Sequence, residues 1–139
     1  MKTNSASNNH MSEEPSRWGG SWLCLGGGAV TTSAPFGVMG IVNLTPDSFY
    51  DGGTHDSADL GLAHAMRLHA EGADILDLGA ESSRPGAQAL TPEQELLRLM
   101  PVLRELRREI PGVMLSVDTY HAATAAAVLD EGVQFINDI

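Results

Sequence analysis

Four short apolar segments, separated by stretches with helical periodicity, constrain the fold of this chain more than any other feature. They comprise residues 38–44, 74–80, 113–119 and 135–139, and they are rich in Val, Ile and Leu. Short segments of this kind are typical of strands that are buried on both faces. Because strand and helix patterns alternate, the sequence predicts an α/β fold in which right-handed crossovers join parallel strands.

The helical pattern between the second and third strands has the clearest end signals. Thr91 is the predicted N-cap, Pro92 takes the first helical position, and Gln94 completes a capping box. Pro101 lies inside the pattern and predicts a kink, because proline has no backbone N–H to donate. The predicted buried face of this helix consists of apolar residues at steps of three and four, namely Leu96, Leu99, Met100, Leu103, Leu106 and Ile110.

Two further helices are predicted from end signals on either side of this one. The earlier helix has Ser57 as its expected N-cap and Gly72 as its stop. The later helix covers about residues 121–131, an Ala-rich stretch that stops at Gly132. The three helical patterns therefore fill the intervals between the four strands.

The N-terminal part of the chain has a different character. Residues 1–20 are polar and of low complexity, which predicts a disordered tail. Residues 22–25 and 29–32 flank three consecutive glycines and predict a short β-hairpin ahead of the main strands. The predicted domain then covers residues 21–139.

Charge and cysteine content exclude several classes of partner. Lys+Arg 8 against Asp+Glu 18 gives a net charge of −10, which argues against nucleic acid or an anionic membrane as a partner. Cys24 is the single cysteine, so we expect neither an intrachain disulfide nor a cysteine metal cluster. No apolar run reaches the length of a membrane span, and the N-terminus does not resemble a signal peptide. We therefore expect a cytoplasmic protein.

Missing nucleotide-binding motifs favour a barrel over the other parallel α/β folds. Neither the Gly-x-Gly-x-x-Gly fingerprint nor the Walker loop follows the first strand. A (β/α)₈ TIM barrel is the better prediction, but such barrels typically need about 250 residues and eight strands. Since only four strands are predicted before Ile139, we expect a truncated barrel of about four βα units.

Polar residues end each predicted strand, where a barrel places its active site. Asn43 offers a hard carbonyl oxygen that suits Mg²⁺, although it could equally bond its own loop. Arg84, in the loop after the second strand, suits phosphate or carboxylate, with a solvated loop arginine as the alternative. Asp118 and Asn137 could recognise a heterocycle with adjacent ring N and amino groups, or simply cap the strand ends.

Other ionisable residues receive structural interpretations. Asp77 lies within the second strand, and a buried lone carboxylate there would need a partner. Glu81 is interpreted as a residue that fixes its loop. Four histidines lack the spacing of a metal site and are interpreted as solvated or on helix faces; they are His55, His64, His69 and His121.

These segments together resemble the signatures of the dihydropteroate synthase family. Residues 39–49 with 51–53 are similar to the first signature, and residues 77–86 are similar to the second. Residues 116–119 and 137–139 resemble the third and fourth strand ends. The segments occur in the order and at the spacing of the family, over about residues 22–139.

The resemblance implies an enzyme of folate synthesis built on a (β/α)₈ barrel. The family is a transferase that joins p-aminobenzoate to 6-hydroxymethyl-7,8-dihydropterin diphosphate and releases pyrophosphate. The chemistry is dissociative and uses no protein nucleophile, so no catalytic residue in that sense is expected. The implied site residues are Asn43 for Mg²⁺, Ser83 and Arg84 in the second mobile loop, Phe49 and Pro85 around p-aminobenzoate, where sulfonamides compete, and Asp118 and Asn137 at the pterin.

The chain departs from the family pattern at two loop positions and in length. Ala80 stands where the pattern usually has Gly, and Ser83 stands where it usually has Thr. The later half of the family supplies a pterin-binding Asp, a Lys, and an Arg/His group for the diphosphate. We therefore expect no pteroate formation by this 139-residue chain alone; turnover near family levels in a pteroate assay would contradict this.

Three interpretations stay open at this point. The first is the N-terminal half of a dihydropteroate synthase, whose full-length form is expected to be a homodimer. The second is the pterin-binding module of a corrinoid methyltransferase, and the third is a degenerate paralogue that binds pterin or a partner without turnover. The loops of residues 45–49 and 82–86 favour the synthase.

Overall fold

The computed structural model describes residues 20–23, 29–32, 36–45, 54–82 and 86–138. The chain divides into two compact units, of which the second begins at Gly37. In the first unit, strands β1 (Gly20–Leu23) and β2 (Ala29–Thr32) form an antiparallel hairpin. The predicted hairpin is confirmed, although its first strand begins two residues earlier than expected. The predicted disordered tail falls on residues 1–19, which lie outside the described residues, and on Gly20, the first residue of β1.

The second unit is a four-stranded parallel sheet with a helix after each of its first three strands. In chain order its elements are β3 (Met39–Asn43), α1 (Thr54–Ala70), β4 (Ile75–Gly79), α2 (Pro92–Glu109), β5 (Met114–Asp118), α3 (Ala122–Asp130) and β6 (Phe135–Asn137). Neighbours in sequence are neighbours in the sheet, in the order β3-β4-β5-β6. The predicted parallel α/β arrangement and all four of its strands are confirmed.

The predicted capping box at the start of α2 is present. The Thr91 hydroxyl accepts a hydrogen bond from the Gln94 backbone N–H at 3.3 Å, and the Gln94 side chain accepts one from the Thr91 N–H at 2.9 Å. Ser57, in contrast, is not the N-cap of α1, because that helix already begins at Thr54. Several short polar residues lie in this stretch, and each type can cap a helix, so sequence alone does not choose among them. No described helix is long and apolar enough to cross a membrane.

Pro101 lies inside α2 without ending it, since the helix continues to Glu109. Proline leaves the carbonyl of the residue four positions earlier without its helical partner. That residue is Leu97, which is 76% exposed, so water can take the place of the missing N–H donor. The position of the proline on the solvent side therefore explains why the helix tolerates it. The predicted kink stays a prediction.

The two faces of the parallel sheet differ in burial. One face carries fully buried apolar residues such as Val42, Leu78 and Val117, which form one core with the apolar side of α2. The predicted buried face of α2 is confirmed, with Leu99, Leu103 and Leu106 fully buried. The opposite face of β3 is open, since Ile41 is 61% exposed. A barrel uses this open face as its interior.

The difference between the faces can be measured at two adjacent residues. Val42→Thr places a hydroxyl in the buried core and is expected to lower the free energy of unfolding by about 1–3 kcal/mol. Ile41→Thr changes an exposed position and should cost less than about 0.5 kcal/mol. Urea unfolding of the two variants measures both values. Equal losses would contradict the assignment of the faces.

Candidate functional site

Three of the residues that the sequence predicts for the site lie level with one another at the carboxyl edge of the parallel sheet. Asn43 on β3 pairs in register with Gly79 on β4, and Gly79 pairs with Asp118 on β5. Asp118 in turn pairs with Asn137 on β6. These four residues are called the edge row below. Each contributes from a different strand, so the sheet rather than a loop sets their spacing.

Gly79 opens space in the middle of the edge row. A Cβ atom at this position would lie 3.6 Å from Asn43 Oδ1 and 3.8 Å from Asp118 Oδ2. Both oxygens therefore face the volume that the missing side chain leaves free. Gly79 is not among the residues that the sequence predicts for the site. Its place at the end of a strand, two residues before the loop of residues 81–86, marks it as near the site but does not show the space that it leaves.

The edge row lies in a strongly acidic environment. Asp118 is half-buried, and its pKa is raised above the usual aspartate value, first by burial and then by repulsion from Asp77, Glu95, Asp138 and Glu81. A ligand that donates hydrogen bonds or carries positive charge relieves this repulsion. The electrostatics of the site therefore favour a ligand rich in N–H groups.

The raised pKa of Asp118 predicts that stability depends on pH. A carboxyl whose pKa is higher in the folded than in the unfolded chain stabilises the fold when protonated, and this contribution is lost as the pH rises through the raised pKa. Asp118→Asn cannot ionise, so we expect it to be more stable than wild type at pH 7, by less than about 1 kcal/mol because solvent screens a half-exposed group. Urea unfolding at about pH 4 and pH 7 tests this; a stability difference independent of pH would contradict it.

Asp77 has the partner that a buried carboxylate needs. It is only 4% exposed, and its Oδ2 accepts a hydrogen bond from the Asn137 side-chain amide at 3.1 Å. Its second oxygen, Oδ1, has no partner in the part of the chain that the structure describes. The predicted need for a partner is thus met by a residue of the edge row, two strands away.

A buried carboxylate on α2 forms a hydrogen bond with the residue that directly follows Asp118 of the edge row. Glu95 is fully buried and accepts a hydrogen bond from the Thr119 hydroxyl at 2.9 Å. The same hydroxyl oxygen accepts the His121 backbone N–H at 3.1 Å, and the Thr119 N–H donates to the Asn137 carbonyl at 3.0 Å. Sequence reasoning does not assign Glu95 a role, because an acidic residue in the first turn of a helix is ordinary.

The loops after β4 and β5 are tied to each other. Glu81 accepts hydrogen bonds from the Tyr120 hydroxyl, at 3.0 and 3.2 Å, and from the Leu90 N–H at 3.2 Å. The hydrogen bond to Glu81 raises the pKa of Tyr120. His121 Nε2 lies 3.0 Å from the Leu90 carbonyl oxygen. The loop-fixing interpretation of Glu81 is confirmed. The interpretation of His121 as solvated or on a helix face is wrong, because this residue is the N-cap of α3 and its ring bridges the two loops.

Several predicted site residues lie outside the described residues, so their positions are not given. These are Phe49 in the first loop and Ser83, Arg84 and Pro85 in the second. Ala80, which precedes the second loop, is described and buried. No non-glycine residue in the described ranges has a positive φ. Alanine in place of the family's usual glycine is therefore accommodated without backbone strain at position 80.

The edge row can supply only part of the ligand shell of a divalent cation. The described residues contain no group of three or more His, Cys, Asp or Glu side chains that could hold a metal ion. Asn43 presents an exposed amide oxygen beside the space at Gly79. Mg²⁺ commonly takes one or two protein oxygens and completes its shell with water and substrate phosphate. Asn43 therefore fits Mg²⁺ as one protein ligand, with the other ligands supplied from outside the described residues.

Comparison with known proteins relates the parallel sheet to one enzyme family. The family model described as "Pterin binding enzyme" matches residues 39–139. Dihydropteroate synthase of Bacillus subtilis is 48% identical over 102 residues, which are 73% of this chain and 35% of that protein. The chain therefore spans about a third of the length of this relative.

Solved structures give the same relationship. Xanthomonas albilineans dihydropteroate synthase with 4-aminobenzoic acid is 50% identical with a TM-score of 0.69, covering 74% of this chain and 38% of that one. Yersinia pestis dihydropteroate synthase in complex with a sulfonamide drug is 42% identical with a TM-score of 0.70, covering 86% and 42%. The predicted fold class, about four βα units of a (β/α)₈ barrel, is thereby confirmed.

Proposed function

The chain belongs to the pterin-binding enzyme family, and on that premise we propose that it provides the pterin-binding part of a dihydropteroate synthase. The reaction joins p-aminobenzoate to 6-hydroxymethyl-7,8-dihydropterin diphosphate and releases pyrophosphate. The observation that carries the proposal is the edge row, because three polar residues from three strands lie level at the edge where barrels bind their ligands.

Asp118 and Asn137 recognise the pterin ring in this proposal. The edge of a pterin that carries its amino group offers several N–H donors, and a carboxylate is an acceptor for such groups. The acidic surroundings that raise the pKa of Asp118 become favourable once N–H donors approach. The Asn137 amide lies next to Asp118 in register and extends the row of acceptors.

Asn43 receives the diphosphate end of the substrate, and the space at Gly79 lies between Asn43 and the ring-binding Asp118. Asn43 would hold Mg²⁺ through its carbonyl oxygen, and the ion would supply positive charge beside the diphosphate. Gly79 has no side chain to obstruct this volume. The distance from Asn43 to Asn137 spans all four strands, which suits a substrate with a ring at one end and phosphates at the other.

Catalysis in this proposal depends on positioning rather than on a protein nucleophile. The bond between the pterin methylene carbon and the pyrophosphate oxygen breaks, and the bond to the amine nitrogen of p-aminobenzoate forms. Pyrophosphate leaves with the electron pair, and the amine loses one proton to solvent. The side chains proposed to surround p-aminobenzoate are Phe49, Ser83, Arg84 and Pro85, on the family resemblance.

Three further proposals concern inhibitors, assembly and location. Sulfonamides are proposed to compete with p-aminobenzoate, supported by the sulfonamide complex of the Yersinia pestis relative. The full-length protein is proposed to be a homodimer on the family resemblance. A cytoplasmic location is proposed from the acidic composition and the single cysteine. The matched relatives named above are synthases, which favours the synthase over the methyltransferase and over the degenerate paralogue.

Calorimetric titration of the 139-residue chain with 6-hydroxymethylpterin tests the proposal. We expect saturable binding that Asn137→Leu abolishes and Asp130→Asn, an exposed control on α3, does not change. Binding of p-aminobenzoate only when pyrophosphate and Mg²⁺ are present separates a synthase from a methyltransferase module. A folded chain without affinity for the pterin would contradict the proposed function.

A further inference from the structure

The hydrogen bond between Asp77 and Asn137 crosses a strand that separates the two residues. Asp77 is on β4 and Asn137 is on β6, with β5 between them. In register, Asp77 pairs with Ser116 and Asn137 pairs with Asp118. The hydrogen bond therefore runs diagonally across the open face of β5. It passes between Ser116 and Asp118, which are two residues apart on that face.

Two small residues beside this hydrogen bond leave room for it to cross β5. Ser116, the register partner of Asp77, is fully buried and has a short side chain. Gly79 lies two residues after Asp77, on the same face of β4, and carries no side chain at all. A β-branched side chain at position 116 would fill the volume through which the Asn137 amide reaches Asp77.

The direction of this hydrogen bond determines what Asn137 offers to a ligand. A carboxylate only accepts hydrogen bonds, whereas an amide has a donor end and an acceptor end. Because Asp77 Oδ2 accepts from Asn137 Nδ2, the amide nitrogen is held against Asp77. The carbonyl oxygen of Asn137 is then the end left for a ligand, beside the acceptor oxygens of Asp118.

We propose that Asp77 is a positioning residue that fixes the orientation of the Asn137 amide and thereby selects a ring with an exocyclic amino group. The proposal deepens the proposed function and rests on it for the identity of the ring. The chemical class that it selects is the aminopyrimidinone of a pterin. The class that it rejects is a lumazine, in which a carbonyl oxygen replaces the amino group.

The burial of Asp77 supports a role in selection rather than in folding. A carboxylate that is 4% exposed and has one oxygen without a partner among the described residues destabilises a fold. Asparagine has the same shape and no charge, so it would fill this position at lower cost. An asparagine at position 77 could also donate a hydrogen bond to the Asn137 side-chain carbonyl. The Asn137 amide would then be flipped by 180°. Only the carboxylate fixes one orientation.

Three variants test the proposal in the 139-residue chain. Asp77→Asn allows the Asn137 amide to turn, and Ser116→Val blocks the crossing without changing either partner. Ser116→Ala removes the hydroxyl but keeps the space, and it is the matched control. The first readout is the proton shift of the Asn137 side-chain amide in the ligand-free protein, by ¹⁵N-edited NMR. The second is the ratio of the dissociation constants for 6-hydroxymethyllumazine and 6-hydroxymethylpterin.

We expect Asp77→Asn and Ser116→Val to move the Asn137 amide signals and to lower the selectivity ratio by at least about tenfold, while Ser116→Ala changes neither. Asp77→Asn is expected to keep or raise the urea midpoint, which a merely structural role would not allow. Unchanged amide signals in Asp77→Asn, or an unchanged ratio, would overturn the proposal. If wild type binds neither compound, the proposed function fails together with the selection of the ring, and the amide signals still decide whether Asp77 positions Asn137.

Discussion

Replacing Asp118 with asparagine is expected to weaken binding of 6-hydroxymethylpterin by about 100-fold, the loss that follows when charge-assisted hydrogen bonds are replaced by opposed donors. The variant has the shape of the original side chain, but its NH₂ group can face the N–H donors of the ring. Asp118 lies in the middle of the edge row, between Gly79 and Asn137. Calorimetric titration at neutral pH measures the change.

A stability measurement on the same variant separates a loss of binding from unfolding. Because the pKa of Asp118 is raised in the folded chain, Asp118→Asn should be at least as stable as wild type at neutral pH. Asp130→Asn removes the same charge from an exposed position on α3 and should leave the affinity unchanged. A stable Asp118→Asn protein with wild-type affinity would show that the pterin binds elsewhere.

Leu103→Ala in α2 is expected to lower the free energy of unfolding by about 3 kcal/mol, since removing a fully buried leucine side chain leaves a cavity. Leu103 is part of the core between α2 and the parallel sheet. The helix also carries Glu95, which supports the end of β5. Loosening α2 should therefore weaken ligand binding as well. Urea unfolding gives the first effect, and titration with the pterin gives the second.

Leu97 provides the control on the same helix. It is 76% exposed, and its replacement by alanine should change the free energy of unfolding by less than about 0.5 kcal/mol. Leu97 is also absent from the predicted apolar face, so the pair tests the helical periodicity directly. A loss at Leu97 as large as that at Leu103 would show that the two faces of α2 are assigned wrongly.

Local signals in the sequence are sufficient for the elements of this fold. The capping box of Thr91 and Gln94 involves residues three positions apart, and strand burial follows from short apolar segments. The parallel order of the strands follows because a helix separates each pair. The start of α1 was not predictable in this way, because three cap-forming residue types occur between Thr54 and Ser57.

The arrangement within the site depends on the register of the strands and on how deeply each side chain is buried. Local sequence patterns specify neither. That Asn43, Asp118 and Asn137 end their strands is visible in the sequence. That Gly79 leaves the space between them is visible only in the paired strands. The contact of Asp77 with Asn137 joins residues 60 positions apart, and the burial of Glu95 depends on how α2 packs.

The measurement that tests the central claim most directly is a map of backbone and side-chain amide shifts during titration of the chain with 6-hydroxymethylpterin. We predict that the largest shifts occur at Gly79, Asp118 and Asn137, which lie level across three neighbouring strands. The far end of the sheet, at Met39, Ile75 and Met114, should change little. Largest shifts at that far end, or on the helices, would contradict the assignment of the edge row as the pterin site.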